Sequence, residues 1–231
     1  MLIKTLLNEC YPIKGFVYED QARLEGKSMV VNIRRRKDRK GLCSKCQKPS
    51  PGYDRLGPRR FRFVPLWGYI VEFLYAPRRV QCPHHGIVVE ALPWADGKSP
   101  ITQPFKLFLA HWAKHLSWKG VSVQFQVSWK NVYDSVKHVV AYGLKHRELE
   151  GIRTLGVDEI QYARGHKYLT LVYQVDKARR RLLFVGKERR VKTLLRFFYQ
   201  FGKERSKKIV AICSDLWKPY LKVIKRKLPQ A

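Results

Sequence analysis

Thr154-Leu155-Gly156-Val157-Asp158-Glu159-Ile160 opens the stretch that decides the fold, and Lys208-Lys-Ile-Val-Ala-Ile-Cys-Ser-Asp215-Leu-Trp217-Lys-Pro-Tyr220 closes it. Each end is a short apolar run with an Asp at or just past its C-terminal edge. Runs of this length rich in Val and Ile read as buried strands. An acid there packs poorly and suits a sheet edge or cleft. Between them lie Tyr168–Val175 and Arg181–Val185, both strand-like, and a helical pattern from Val191 to Phe201. The order is three strands, a helix and a fourth strand. Three strands joined in succession pair as a meander, and a helical crossover returns the fourth parallel to the first. That topology brings Asp158 and Asp215 together. Two adjacent carboxylates repel, and a divalent cation with a preference for hard oxygen ligands, Mg²⁺ or Mn²⁺, relieves the repulsion. On a basic protein such a pair points to phosphoryl transfer on nucleic acid. The simpler alternative is that both acids cap loops or helices.

The 231 residues accommodate one large or two to three small domains, and 45% are apolar. Forty-seven Lys and Arg face 18 Asp and Glu, a formal net charge of +29 spread from Lys4 to Lys227. A folded chain this basic selects polyanions, double-stranded DNA first among them. A ribosomal-type structural protein stays open on charge alone. No run reaches 18 apolar residues, and Met1 to Tyr11 has no signal-peptide core. The expectation is a cytoplasmic protein without membrane contact, its five cysteines thiols or metal ligands rather than disulfides.

Cys43-Ser-Lys-Cys46 and Cys82-Pro-His-His85-Gly have the ligand types and local spacing of a closed zinc site. His85 restores the two-residue spacing; His84 is the alternative. Arg60–Val64 and Tyr69–Tyr75 in the gap read as strands of a hairpin joining two knuckles, a zinc ribbon. Before it, the strand-like Ser28–Ile33 runs into a basic cluster. There Arg34, Arg35 and Arg36 are candidates for phosphate contact, or else a solvated strand end. Cys213, inside an apolar run, reads as a small core residue. Residues 93–104 read as a linker, with Pro93, Gly97, Pro100 and Pro104. Phe105 to Leu116 then carries an apolar stripe at helical spacing. Val121–Phe125 reads as a short helix, Gln126-Val127 as a turn, and Ser128 as the N-cap of a helix from Trp129 to Tyr142, with Val132, Val136, Val139 and Val140 inward. Short helix, turn and capped helix are the plan of a helix-turn-helix or of an ordinary helical hairpin. In the first case Lys130, Asn131, Tyr133, Asp134 and Lys137 face the DNA.

Gly156-Val-Asp158-Glu-Ile160, Arg164-Gly-His-Lys-Tyr168, Ser214-Asp215-Leu-Trp217-Lys-Pro-Tyr220 and Pro229 resemble the ISL3 family of insertion-sequence transposases. The resemblance covers nearly the whole chain. It implies a DDE enzyme with a ribonuclease-H-like catalytic domain, Asp158 and Asp215 as the first two catalytic acids, and a metal ligand at the place of His85. It implies a bacterial, nucleoid-associated protein that binds insertion-element ends and cuts and joins them with Mg²⁺ or Mn²⁺, beside a structural Zn²⁺. A second copy or a full-length transposase is the expected protein partner. The family's third acid is a distant Glu, and residues 216–231 contain no Asp or Glu. The expectation is a truncated chain, inactive alone. The competing readings are a non-enzymatic DNA binder that inhibits a full-length transposase, and a remnant. The expected architecture is a multidomain α+β chain: a zinc-ribbon β unit over 1–92, a linker and helix-turn-helix over 93–150, and an incomplete ribonuclease-H-like domain over 151–231.

Overall fold

The computed structural model describes residues 3–215 and 217–231 and divides the chain into two compact units between His146 and Arg147. Among the described residues there are several sheets and seven helices, a mixed α/β protein. No described helix is long and apolar enough to cross a membrane.

The first unit begins with α1 (Ile3–Cys10), β1 (Phe16–Glu25), β2 (Ser28–Arg35), β3 (Gly41–Leu42), β4 (Pro49–Ser50) and β5 (Gly52–Arg55). It continues with β6 (Arg59–Arg62), β7 (Ile70–Tyr75), β8 (Arg78–Cys82) and β9 (Gly86–Val89). One sheet has the order β1-β2-β7-β6, with β7 parallel to β2. The alternation of β7, with Val71, Phe73 and Tyr75 buried, turns one face of this sheet onto the core. Leu7, Tyr18, Val31, Phe61 and Trp94 fill the same core.

Two expectations change here. The hairpin of β6 and β7 joins the N-terminal sheet instead of bridging the knuckles, which are carried by the β3-β4 pair and the β5-β8-β9 sheet. Both hairpins satisfy the same local pattern, and burial of Phe61 and Phe73 against Trp94 and Phe63 selects the larger sheet. Nor is 93–104 a loose linker. Trp94 is fully buried, with the rings of Phe16, Phe61 and Tyr75 edge-on to it at 4.8–5.9 Å. Its prolines and glycine shape a loop, but a buried Trp holds that loop in the core.

Three helices complete this unit: α2 (Gln103–Trp112), α3 (Trp118–Gln124) and α4 (Trp129–Lys145). Phe105, Leu109, Val121 and Val132 form their shared core. Ser117 and Ser128 cap α3 and α4, their hydroxyls accepting from the Gly120 and Asn131 amides. Between the helices Gln126 takes φ 50°, and Arg62 donates to the carbonyls of Phe125 and Gln126, which fixes the turn. On α4 the buried positions are Val132 and Ser135; Val140, expected inward, is 52% exposed. The neighbouring helices cover the first half of α4, so an apolar side chain beyond that point meets solvent.

The second unit is β10 (Thr154–Ala163), β11 (Lys167–Asp176), β12 (Arg179–Lys187), α5 (Val191–Phe201), α6 (Lys203–Ser206), β13 (Ala211–Ser214) and α7 (Lys218–Lys227). Its sheet order is β12-β11-β10-β13, an antiparallel meander with β13 parallel to β10. Leu194, Phe197, Phe198 and Phe201 recur at helical spacing on α5 and pack with Leu155, Val157 and Val172 of the sheet and Tyr220, Val223 and Ile224 of α7. Gly186 permits the close approach of α5: a Cβ there would lie 2.2 Å from Thr193 Cγ2. Cys213 is exposed rather than in the core. Its neighbour Ile212 points to the core side, and alternation along the strand turns Cys213 the other way.

Candidate functional site

The first candidate site forms between two turns. In the first, the Gln47 amide donates to the Cys43 carbonyl and the Cys43 amide to the Lys48 carbonyl, with Gln47 at φ 59°. In the second, the His85 amide donates to the Cys82 carbonyl, and Gly86, at φ +65°, starts the return strand. The knuckles converge so that the ligand atoms of Cys43, Cys46, Cys82 and His85 all lie within 4.8 Å of one another. Cys46 Sγ and Cys82 Sγ are 3.7 Å apart, and His85 Nδ1 lies 3.7 Å from Cys43 Sγ and 3.6 Å from Cys82 Sγ. A tetrahedral ion with arms of about 2.3 Å to sulfur and 2.0–2.1 Å to nitrogen sets its donors roughly 3.5–3.8 Å apart. The three sulfurs and one imidazole therefore fit such an ion, and His85 rather than His84 is the fourth donor. Burial works against ionisation of Cys82. Hydrogen bonds from the His84 amide and the His85 ring outweigh it and bring this thiol down to about 6. A thiol that ionises readily is prepared for a metal.

Beside this cluster, Glu90 lies opposite Cys43 in an isolated bridge. Its carboxylate is fully buried and accepts from Arg35 Nε at 2.8 Å, from the Tyr75 hydroxyl and from the Arg78 amide. Arg35 also donates to the Lys40 carbonyl and stacks on Phe16, with 4.4 Å to the ring centroid. Arg35 is thus turned inward and is no candidate for phosphate contact. Strand alternation leaves Arg34 and Arg36 exposed on either side of it.

On α4, Lys130, Tyr133 and Lys137 are exposed and Asn131 is half-buried. Lys130 pairs with Asp134, and Lys137 lies 6.0 Å from the Tyr133 ring centroid. Trp129 stacks on Tyr133, Trp118 meets Trp129 tilted and Tyr133 edge-on, and Trp129 remains 53% exposed.

In the second unit the parallel register ends at Val157↔Ser214, so the next residue on each chain is Asp158 and Asp215. The carboxylates have separate partners. Asp158 Oδ1 accepts from the Glu159 amide at 2.7 Å, whereas Asp215 Oδ2 pairs with Arg189 Nη2 at 2.9 Å. Among the described residues the only group of three or more converging metal-ligating atoms is the Cys₃His cluster. Arg189 joins Asp215 to Glu159 and lies over Trp217, and Tyr220 neighbours Glu159; Glu159, Arg189, Trp217 and Tyr220 are not among the site residues expected from sequence. Arg189 Nε lies 2.5 Å from Glu159 Oε2, an ion pair without hydrogen-bond alignment, and Glu159 Oε1 is buried with no hydrogen-bond partner. Burial, helped by the Asp215 charge, holds the Glu159 carboxyl above the usual range although Arg189 pulls the other way. The Tyr220 hydroxyl bonds Thr170 Oγ1 at 2.7 Å, and burial pushes its pKa to about 12. The signal for Arg189 was a basic residue just before a helix, which among 47 basic residues does not stand out.

These parts fall within a known class, the transposases: residues 155–231 match the DDE transposase family model of the ISL3 group. The chain carries the ISL3 transposase match over these residues and is similar to insertion-sequence transposases along nearly all of its length. It is 31% identical over 222 residues to the transposase for insertion sequence element IS1557 of Mycobacterium tuberculosis, an alignment covering 95% of this chain and 49% of that protein. It is 26% identical over 191 residues to the transposase for insertion sequence element IS1001 of Bordetella parapertussis, covering 82% of this chain and 47% of the relative. The chain spans about half the length of the curated relatives it matches. No solved structure matches it.

Proposed function

We propose that the chain is the DNA-binding and first catalytic part of a transposase that binds insertion-element ends and takes part in metal-dependent cleavage and transfer of DNA strands. The observation that carries this is the parallel pairing of β13 beside β10, which brings Asp158 and Asp215 to one level of the sheet. The strand order with an antiparallel meander and a helical crossover supports a ribonuclease-H-like fold. In this reading residues 1–92 form the zinc-bearing β unit, 93–150 the helix-turn-helix segment, and 151–231 the first part of the catalytic domain.

Asp158 and Asp215 would hold a divalent cation, since their carboxylate oxygens are the hard donors that Mg²⁺ and Mn²⁺ take. Mg²⁺ or Mn²⁺ bound there would stabilise charge on the attacking and leaving oxygens of an in-line displacement at phosphorus. A third carboxylate would come from the part of the family length outside this chain. Cys43, Cys46, Cys82 and His85 would hold a structural Zn²⁺, since thiolate and imidazole in a closed tetrahedron select it. Lys130, Asn131, Tyr133 and Lys137 at the exposed start of α4 would enter the DNA groove, and Arg34 and Arg36 would contact phosphates.

Two measurements test this. In a protein of the full family length, Asp158→Asn and Asp215→Asn should each reduce Mn²⁺-dependent cleavage of an end-containing duplex to background while leaving end binding within about twofold. Cleavage that survives either change refutes the catalytic assignment. For the 231-residue chain, duplex affinity should fall with salt at a log–log slope of roughly −4, about 0.9 for each of Lys130, Lys137, Arg34 and Arg36. Replacing Lys130 and Asn131 by Ala should weaken binding to the element end more than to random duplex. A flat salt response sinks the binding role, and equal loss on both duplexes sinks the recognition helix. A second reading is a binder that occupies element ends without cutting them, favoured by the engagement of Asp215 with Arg189.

A further inference from the structure

Arg189 is held from three sides. Its guanidinium pairs with Glu159 at 2.5 Å and with Asp215 at 2.9 Å, and its carbon centre lies 4.6 Å above the Trp217 ring. The backbone beneath it is pinned as well. The preceding residue, Glu188, takes φ 75°, donates its amide to the Tyr168 carbonyl and accepts from Thr170 Oγ1. A side-chain-bearing residue in that conformation persists only where its surroundings enforce it. The three partners differ in their freedom. The Glu159 side chain is 9% exposed, whereas that of Asp215 is 46% exposed and lies just past the end of β13. Asp158 and Glu159 are consecutive in a strand and point to opposite faces. Arg189 thus ties Asp215 to Glu159, while Asp158 is bonded to its own neighbour's amide.

We propose that Arg189 is a latch on Asp215: in the metal-free chain it holds this carboxylate against Glu159, and a divalent cation at Asp158 and Asp215 must displace it. The inference rests on the assignment of these two acids as metal ligands. Charge supports it. One guanidinium bridges the carboxylates of Glu159 and Asp215, and Asp158 has no cationic partner among the described ion pairs. After release Arg189 still balances buried Glu159, and a single divalent cation balances the other two. Trp217 keeps the guanidinium in place meanwhile, a stacking that Arg supports and Lys does not. Arg189 is a positioning residue, acting through Asp215.

The test uses Mn²⁺ as the probe, titrated into the zinc-loaded 231-residue chain and read by the loss of the free-ion electron paramagnetic resonance signal. Arg189→Gln should tighten Mn²⁺ binding about three- to fivefold, the upper end for a partly exposed ion pair. Trp217→Leu, which removes the platform and keeps the charge, should tighten it by less. Arg190→Gln removes a neighbouring exposed charge paired with Glu188 and should change affinity by less than about twofold. Asp215→Asn should abolish binding in both the parent and the Arg189→Gln background. Unchanged or weaker binding in Arg189→Gln, with sensitivity to Asp215→Asn retained, overturns the latch and leaves the acid pair standing. An equal gain in Arg190→Gln overturns it too, because bulk charge then explains the effect. Mn²⁺ binding that ignores both Asp158→Asn and Asp215→Asn defeats the acid-pair assignment itself. Should Arg189→Gln fail to fold, the Trp217→Leu titration decides: no gain rejects the latch.

Discussion

Chelating a metal held by the Cys43, Cys46, Cys82 and His85 cluster should unfold the knuckle strands over 41–55 and 78–89 and leave β6 and β7 in the N-terminal sheet and the unit from Arg147 onward folded. The strands that carry the knuckles are short: β3 and β4 have two residues each, and β9 has four. Ladders of that length do not sustain themselves, so the ion has to supply the cross-link. Structural zinc in small knuckles contributes on the order of 10 kcal/mol, and its loss unfolds the module it holds. Metal analysis of the purified protein should find about one zinc per chain. Cys43→Ser should lower that content by most of its value. Hydrogen exchange resolved by segment should then show protection lost over 41–55 and 78–89 and kept over 70–75 and 154–187. Full metal content in Cys43→Ser, or unchanged protection after chelation, would refute the site.

Glu90→Gln should be the most damaging single change away from the knuckles. The Arg35–Glu90 pair is buried, with side chains 4% and 0% exposed. A buried pair contributes little net stability when intact, because desolvation offsets the attraction. Breaking it strands a charge in the interior at a cost of about 3–5 kcal/mol. Glutamine keeps the shape, so the loss is electrostatic. The melting temperature of the N-terminal unit should fall by roughly 6–20 °C, at about 2–4 °C per kcal/mol for a unit of this size. Glu72→Gln is the contrast, since its partner Arg60 is 44% exposed and the pair is worth less than about 1 kcal/mol. Replacing Arg35 and Glu90 together by Met and Leu should recover only part of the loss: no charge is then left unpaired, but the Tyr75 hydroxyl and the Arg78 amide lose their acceptor. A Glu90→Gln protein that melts within a degree or two of the parent would show that water reaches Arg35.

Glu90 also joins the two halves of the N-terminal unit. It lies opposite Cys43 in the part that carries the cysteine knuckles, while Arg35 and Tyr75 belong to the larger sheet. The orientation of the metal cluster against that sheet therefore depends on a salt bridge between residues 55 positions apart. A basic run such as Arg34-Arg35-Arg36 advertises phosphate binding uniformly along its length. Only the fold withdraws its middle member.

What the amino-acid sequence by itself determined is local. The Val- and Ile-rich runs around Asp158 and Asp215, the stripe of α5, the serine cap of α4 and the two-residue spacing of the cysteine knuckles all lie within a few positions along the chain. Backbone geometry turns such patterns into strands, helices and turns wherever they occur. The parallel return of the fourth strand was legible for the same reason, since a helix after a meander leaves few connections open. The tertiary structure alone decided which elements meet. It assigned β6 and β7 to the N-terminal sheet, put Trp94 in the core, exposed Cys213 and Val140, turned Arg35 onto Glu90 and set Arg189 between Glu159 and Asp215. Each of these depends on partners far apart in sequence, chosen by competition for burial and by the cost of leaving a charge unpaired. Neither quantity is carried by a short window of residues, which is why they became visible only when the chain was seen folded.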